Sequence, residues 1–122
     1  EKNAEDIRRG YDLSCYDRAV SRLKAAGLNV VCHIILGLPG ESKTDMLQSV
    51  DYACKSGIDG IKLQLLHVLR GTDLAKDYEA GKFEALSFEA YLDIIKSCAK
   101  KDLIAPLWSA DKKKVLNAIS RL

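Results

Sequence analysis

Val30-Val31-Cys32-His33-Ile34-Ile35-Leu36-Gly37-Leu38-Pro39-Gly40-Glu41 is a run of seven mostly apolar residues that stops abruptly at a turn rich in Gly and Pro. A continuous, partly β-branched run of this length reads as a strand buried on both faces, the mark of a parallel sheet. Working outward, the same cycle recurs on either side. Upstream, Ser14 opens a helix with Asp17 as its capping-box partner; Tyr16, Ala19, Val20 and Leu23 repeat at helical spacing, and Gly27 is the stop. Downstream, Ser42 and Thr44 both suit the cap of a helix that carries Met46, Leu47, Val50 and Ala53 and closes at Gly57. Ile58 to Val68 is a second, largely apolar strand. The 30 residues from Gly27 to Gly57 equal one strand-plus-helix unit of a parallel α/β protein.

The remaining elements follow the same signals. A short helix is expected near residues 3–9. Thr72 starts a helix ending at Gly81, and Ser87 caps another that buries Tyr91, Leu92, Ile94, Ile95 and Cys98. Residues 103–108 form a strand-like run in which Pro106 restricts the position to an edge or an end. Ser109 caps a last helix with Val115, Leu116, Ile119 and Leu122 on one face and Lys112, Lys113 and Lys114 on a solvated one. The fold class is therefore α/β: parallel strands with flanking helices, about half of a TIM-type (β/α) barrel or a small open sheet. Central strands that read as doubly buried, in a chain with so few of them, point to part of a larger barrel or to a sheet completed by another chain.

The 122 residues suit one domain, and the 48% hydrophobic content suffices for a core. A net charge of +2 gives no concentrated basic surface, so nucleic acid is not indicated. No apolar stretch approaches the roughly 20 residues of a membrane span. The polar, acidic start Glu1-Lys2-Asn3-Ala4-Glu5-Asp6 does not resemble a signal peptide. Cys15, Cys32, Cys54 and Cys98 lie 17, 22 and 44 residues apart, without metal-ligand spacing, and read as reduced thiols in a cytoplasm. Three of them fall on apolar helix or strand faces and are expected to be buried.

In parallel α/β folds ligands gather at the C-terminal ends of the strands. His33 and His67, the only histidines, both fall in the predicted strands. They read either as core histidines bonded to backbone or as two walls of one pocket. Gly37, Pro39 and Gly40 read either as a turn or as a small-residue loop with room for a ligand. Phosphate-cradling glycine motifs, a nucleophile elbow and H-E-x-x-H are absent.

The string from Cys32 to Glu41 resembles the fifth strand of radical S-adenosylmethionine (SAM) proteins. The similarity is to the branch shared by oxygen-independent coproporphyrinogen oxidase and the catalytic subunit of Elongator, where this strand runs into G-L-P-G and a helix. Ile7-Arg8-Arg9-Gly10-Tyr11-Asp12 is similar to the family's N-R-G-H-x segment. Gly60 to Thr72 resembles the sixth strand and its exit loop, and Leu103 to Ser109 resembles a bacterial Fe–S oxidoreductase group.

The resemblance implies that residues 1–122 are the C-terminal part of a six-unit (β/α) catalytic domain. In that family a [4Fe–4S] cluster passes one electron to SAM, giving methionine and a 5′-deoxyadenosyl radical. Carried over by position, Arg9 would hold the SAM carboxylate, a task suited to a guanidinium. His33 would contact the ribose, Ile35 and Gly37 would line the adenosine, and Leu66, His67 and Val68 would lie beside the adenine. The family's C-x-x-x-C-x-x-C is missing here, so both cofactors are expected in the parent protein and neither on this chain alone. The missing N-terminal half of the barrel is the implied partner, and self-association through an exposed strand edge is expected without it. A second departure is the short passage from Lys100 to Asp102, where relatives carry a longer connection.

Two other classes remain open. A different α/β-barrel enzyme of the aldolase or isomerase type would need a Lys or a carboxylate dyad at strand ends, for which Lys62 and Asp59 are the nearest residues. A noncatalytic interaction domain would use the Lys112–Lys114 helix as its contact surface.

Overall fold

A computed structural model of the chain describes residues 9–99. The expected helix near residues 3–9, the strand-like run 103–108 and the lysine-bearing last helix lie outside the described residues, apart from Arg9. In chain order the elements are α1 (Leu13–Ala25), β1 (Val31–Leu36), α2 (Lys43–Lys55), β2 (Gly60–Leu65), α3 (Asp73–Glu79) and α4 (Phe88–Ala99). The alternation is the one the hydrophobic runs predict.

Each helix start has a local cause. Asp12, not Ser14, caps α1: its carboxylate accepts from the Cys15 amide at 3.2 Å and from the Ser14 hydroxyl at 2.6 Å. A carboxylate two residues earlier meets the free amides of the first turn, so Ser14 lies inside the helix. For α2 the choice between Ser42 and Thr44 falls on Ser42. The Asp45 amide donates to Ser42 Oγ at 3.2 Å, while the Asp45 carboxylate accepts from the Ser42 amide at 2.8 Å, a complete capping box. Thr72 caps α3 and the Ser87 hydroxyl accepts from the Ala90 amide in α4. At the far end of α1, Gly27 takes φ +73° while Gly27 N and Leu28 N donate back to Lys24 O and Leu23 O. That is the double closure of a Schellman end, which glycine permits without strain.

The two strands pair in parallel, Val31 opposite Gly60 through Leu36 opposite Leu65, with α2 as the crossover. Leu36, Ile61 and Leu63 form one core with Met46, Val50 and Ala53 of α2 and Ile94, Ile95 and Cys98 of α4, with Cys32 and Ile34 packed against it. Full burial of side chains such as Leu36 and Ile95 contributes about 1.5–3 kcal/mol each.

The reading of β1 as buried on both faces is corrected. Cys32, Ile34 and Leu36 face the core, but the alternate residues are open: Val31 is 65% exposed and Ile35 42%, and His33 is exposed as well. Alternation along a strand puts these three on the side away from α2 and α4. An apolar run cannot distinguish a face covered by its own helices from one whose cover lies elsewhere.

Candidate functional site at the carboxyl ends of the strands

β1 ends where the chain must turn. Gly37 is buried at φ +86°, and a β-carbon there would lie 3.0 Å from the Leu86 β-carbon. Leu86, in the segment between α3 and α4, therefore fills the space that a side chain at position 37 would need. The loop then closes on itself: the Leu38 amide donates to the Glu41 carboxylate at 3.1 Å and the Glu41 amide to Leu38 O at 3.0 Å. Ser42 starts α2 immediately afterwards, so the loop is held at both ends.

On β2 the regular pairing stops at Leu65, although the Leu66 amide still donates to Leu36 O at 2.9 Å. Past that bond β1 has turned away at Gly37 and β2 has no partner. The predicted strand Ile58–Val68 is thus shortened at both ends, and His67 lies beyond it, exposed in the exit loop. At the opposite end of the sheet, Asp59 N and Gly60 N both donate to Val30 O. The Asp59 carboxylate accepts from Lys24 Nζ at 2.7 and 2.8 Å and from the Val30 amide at 2.7 Å. The Lys24 ammonium first, and the Val30 amide second, hold the Asp59 carboxyl below its ordinary range. Asp59 therefore ties α1 to the strand starts, away from the ends where a barrel enzyme works.

The sequence-derived residues distribute as follows. Ile35 lies on the open face one step before Gly37, and Leu66 and Val68, both half-buried, follow β2 beside the Gly37 turn. Arg9 donates through Nε to Tyr11 O at 2.9 Å, with its guanidinium carbon 5.3 Å from the Tyr11 ring centroid. His33 pairs with Lys62 within the sheet, whereas His67 lies in the exit loop, two residues past the last paired position Leu65.

Lys62, weighed above only for an aldolase-type site, and Gln64, not named there, lie on the same sheet face as His33. They stand opposite His33 and Ile35 on the open face. The available signal was parity: Ile61 and Leu63 are the apolar, buried positions of β2, so Lys62 and Gln64 must face the other way.

The four thiols do not form one cluster: Cys98 is buried in the core and Cys15 is exposed on α1, while Cys32 and Cys54, half-buried against the core, are near enough for Cys32 to act on Cys54. Burial pushes the Cys32 and Cys54 thiols up, and for Cys54 the neighbouring Asp51 adds to the effect. Among the described residues no group of three His, Cys, Asp or Glu could hold a metal ion, and no helix is long and apolar enough to cross a membrane.

Residues 58–101 match the family model of the Radical_SAM C-terminal domain, a span that begins just before β2 and runs past α4. Among curated proteins the chain is 33% identical to Protein YhcC of Escherichia coli strain K12, over 92% of this chain and 42% of YhcC. It is 34% identical to the uncharacterised protein YtqA of Bacillus subtilis, over 99% of this chain and 43% of YtqA. Elongator complex protein 3 of Danio rerio is 28% identical over 89% of this chain and 20% of its own length. The chain spans under half the length of these relatives. The YhcC and YtqA alignments, at 129 and 140 positions, are longer than the chain, so both relatives carry residues inserted against it. Residues 58–101, across β2, α3 and α4, thus carry a Radical_SAM C-terminal domain, and similarity to YhcC and YtqA continues through β1 and α1.

Proposed function

We propose that this chain forms the C-terminal part of the (β/α) catalytic barrel of a cytoplasmic radical SAM enzyme and supplies one wall of its SAM pocket. The observation that carries the reading is the Radical_SAM C-terminal domain match over β2, α3 and α4, in a chain whose parallel β-α-β unit is open on the face opposite the helices. A barrel interior is the natural cover for such a face, because a parallel sheet is normally covered on both sides.

The residues present do not suit a [4Fe–4S] cluster, since the four thiols sit on α1, β1, α2 and α4 without converging. Cluster ligation belongs to the part of the parent outside this chain. Toward SAM the residues are suited. Ile35 offers an exposed apolar surface for a purine or ribose, and the Gly37 turn brings backbone close without a side chain. Leu66, His67 and Val68 would flank the adenine, His33 would donate to a ribose hydroxyl, and Arg9 would pair with the amino-acid carboxylate. When bound to a reduced cluster, SAM supplies a 5′-deoxyadenosyl radical; the chain's own part is to orient the nucleoside and keep water out.

The test is to express the longer reading frame that includes these residues and assay it without oxygen, with SAM and a reductant. An in-frame C-x-x-x-C-x-x-C upstream, with 5′-deoxyadenosine formed and lost on Ile35→Asp at the exposed face, is the expected result. A reading frame with no such motif would overturn the enzyme reading in favour of an interaction domain. The same proposal makes the N-terminal part of the barrel the partner of the open face. On its own, the chain should self-associate through the free strand edge and the exposed Val31 and Ile35. A monodisperse monomer at high concentration in light scattering would contradict this.

A further inference from the structure

His33 and Lys62 are direct register partners in a parallel pair, on the face turned away from the core. Neighbouring strands run about 5 Å apart, so the imidazole and the ammonium leave the sheet side by side. The other strand positions of this face are Val31, Ile35, Gly60 and Gln64, with no Asp or Glu among them. Cross-strand neighbours usually carry opposite charges, and two bases directly opposite disfavour the pairing. Here the two bases stand together with the Gln64 amide one layer further toward the loops. Lys62 offers three N–H donors, a protonated His33 two, and Gln64 two more. A concentration of donors with no acid among the strand positions of its face is complementary to an anion, and it becomes more so when a barrel encloses the face, because an enclosed cation needs a counter-charge.

We propose that His33 and Lys62, with Gln64 above them, bind an anionic oxygen group, a carboxylate or phosphate, on the small molecule that enters this face. The site rests on strand register and not on the SAM reading, so either can fail without the other. It is distinct from the carboxylate contact assigned to Arg9. The two ring nitrogens of His33 allow one to meet a ribose and the other the anion.

The experiment uses the longer reading frame that contains this chain, with the His33 and His67 rings assigned by His→Gln substitution as paired reporters, His67 lying in the exit loop beyond the paired strand residues. Inorganic phosphate, and separately acetate, are titrated at constant ionic strength while both imidazole rings are followed by NMR. The expected result is a saturable shift of the His33 ring that His67 does not share. Lys62→Gln should weaken it about tenfold, the scale of one charge-assisted hydrogen bond, and Lys62→Arg should retain it. A response to phosphate alone assigns a phosphate ligand, and a response to acetate alone assigns a carboxylate. Backbone amide spectra of both variants check that the fold is kept. Equal, unsaturable shifts of both rings, no shift at His33, or an unchanged affinity in Lys62→Gln would overturn the proposal.

Discussion

Gly37 packs so tightly against Leu86 that a methyl group on its α-carbon would lie 3.0 Å from the Leu86 β-carbon. The contact joins the end of β1 to the segment entering α4, which shapes one side of the SAM pocket proposed above. Gly37→Ala therefore meets two penalties, the left-handed backbone at φ +86° and the overlap with Leu86. Gly40, at φ +74° with nothing within 4 Å, meets only the first. Urea unfolding should show a loss of about 1 kcal/mol for Gly40→Ala and about 2–3 kcal/mol for Gly37→Ala. Equal losses would mean that Leu86 yields at no cost.

The start of α1 separates two side chains that both suit a cap. Because the Asp12 carboxylate accepts from the Cys15 amide, Asp12→Ala should destabilise the chain by about 1 kcal/mol. Ser14→Ala removes a hydroxyl that donates to Asp12 and accepts from Arg18 at 2.7 Å, all at the exposed surface, and should cost less than half as much. Thermal unfolding of the two variants side by side decides the assignment. A larger loss for Ser14→Ala would restore Ser14 as the cap.

The alternation of helices and strands was legible because apolar runs and glycine stops are local signals. Gly27, Gly57 and Gly81 all follow helix ends with positive φ, where their spacing predicts them. The Ile94, Ile95 and Cys98 face of α4 was legible for the same reason. What local pattern could not supply was which side of β1 its own helices cover, since Cys32-His33-Ile34-Ile35 is nearly as apolar on one parity as on the other. The pairing of His33 with Lys62 depends on register, and register is set across 28 residues of intervening chain. Leu86 against Gly37 is likewise a tertiary contact, and no property of either residue alone announces it. The resemblance named the strand-end residues, but only the register showed that Lys62 stands opposite His33.

Asp59 gives the fold an acid-sensitive tie. Its carboxyl is held low by Lys24 and the Val30 amide, so the folded chain binds its proton less readily than the unfolded chain does. The stabilisation is fully present above the ordinary carboxylate value of 3.8 and is lost as pH falls through the lower folded value. Urea midpoints for the wild-type chain and Asp59→Asn should differ at pH 7 and converge as pH falls through the lowered folded value, where Asp59 becomes uncharged. A gap that persisted unchanged at that acidity would assign the effect to hydrogen-bond geometry and not to charge.

Thiol reactivity should follow the layers of the fold. Cys15 is exposed on α1, Cys32 and Cys54 are half-buried against the core, and Cys98 is enclosed within it. Alkylation requires both access and thiolate, and burial pushes the Cys32 and Cys54 thiols up, which lowers the thiolate fraction at neutral pH. Cys32 is further engaged by the Tyr16 hydroxyl, which opposes that rise without removing it. Under native conditions near pH 8, iodoacetamide followed by peptide mass spectrometry should modify Cys15 first. Cys54 and Cys32 should follow more slowly, since burial both limits access and lowers their thiolate fraction. Cys98 should react only at the rate at which α4 leaves the sheet, so denaturant should accelerate it more than any other thiol. If Cys98 matched Cys32 in rate without denaturant, α4 would be opening freely, and the Leu86 wall behind Gly37 would open with it.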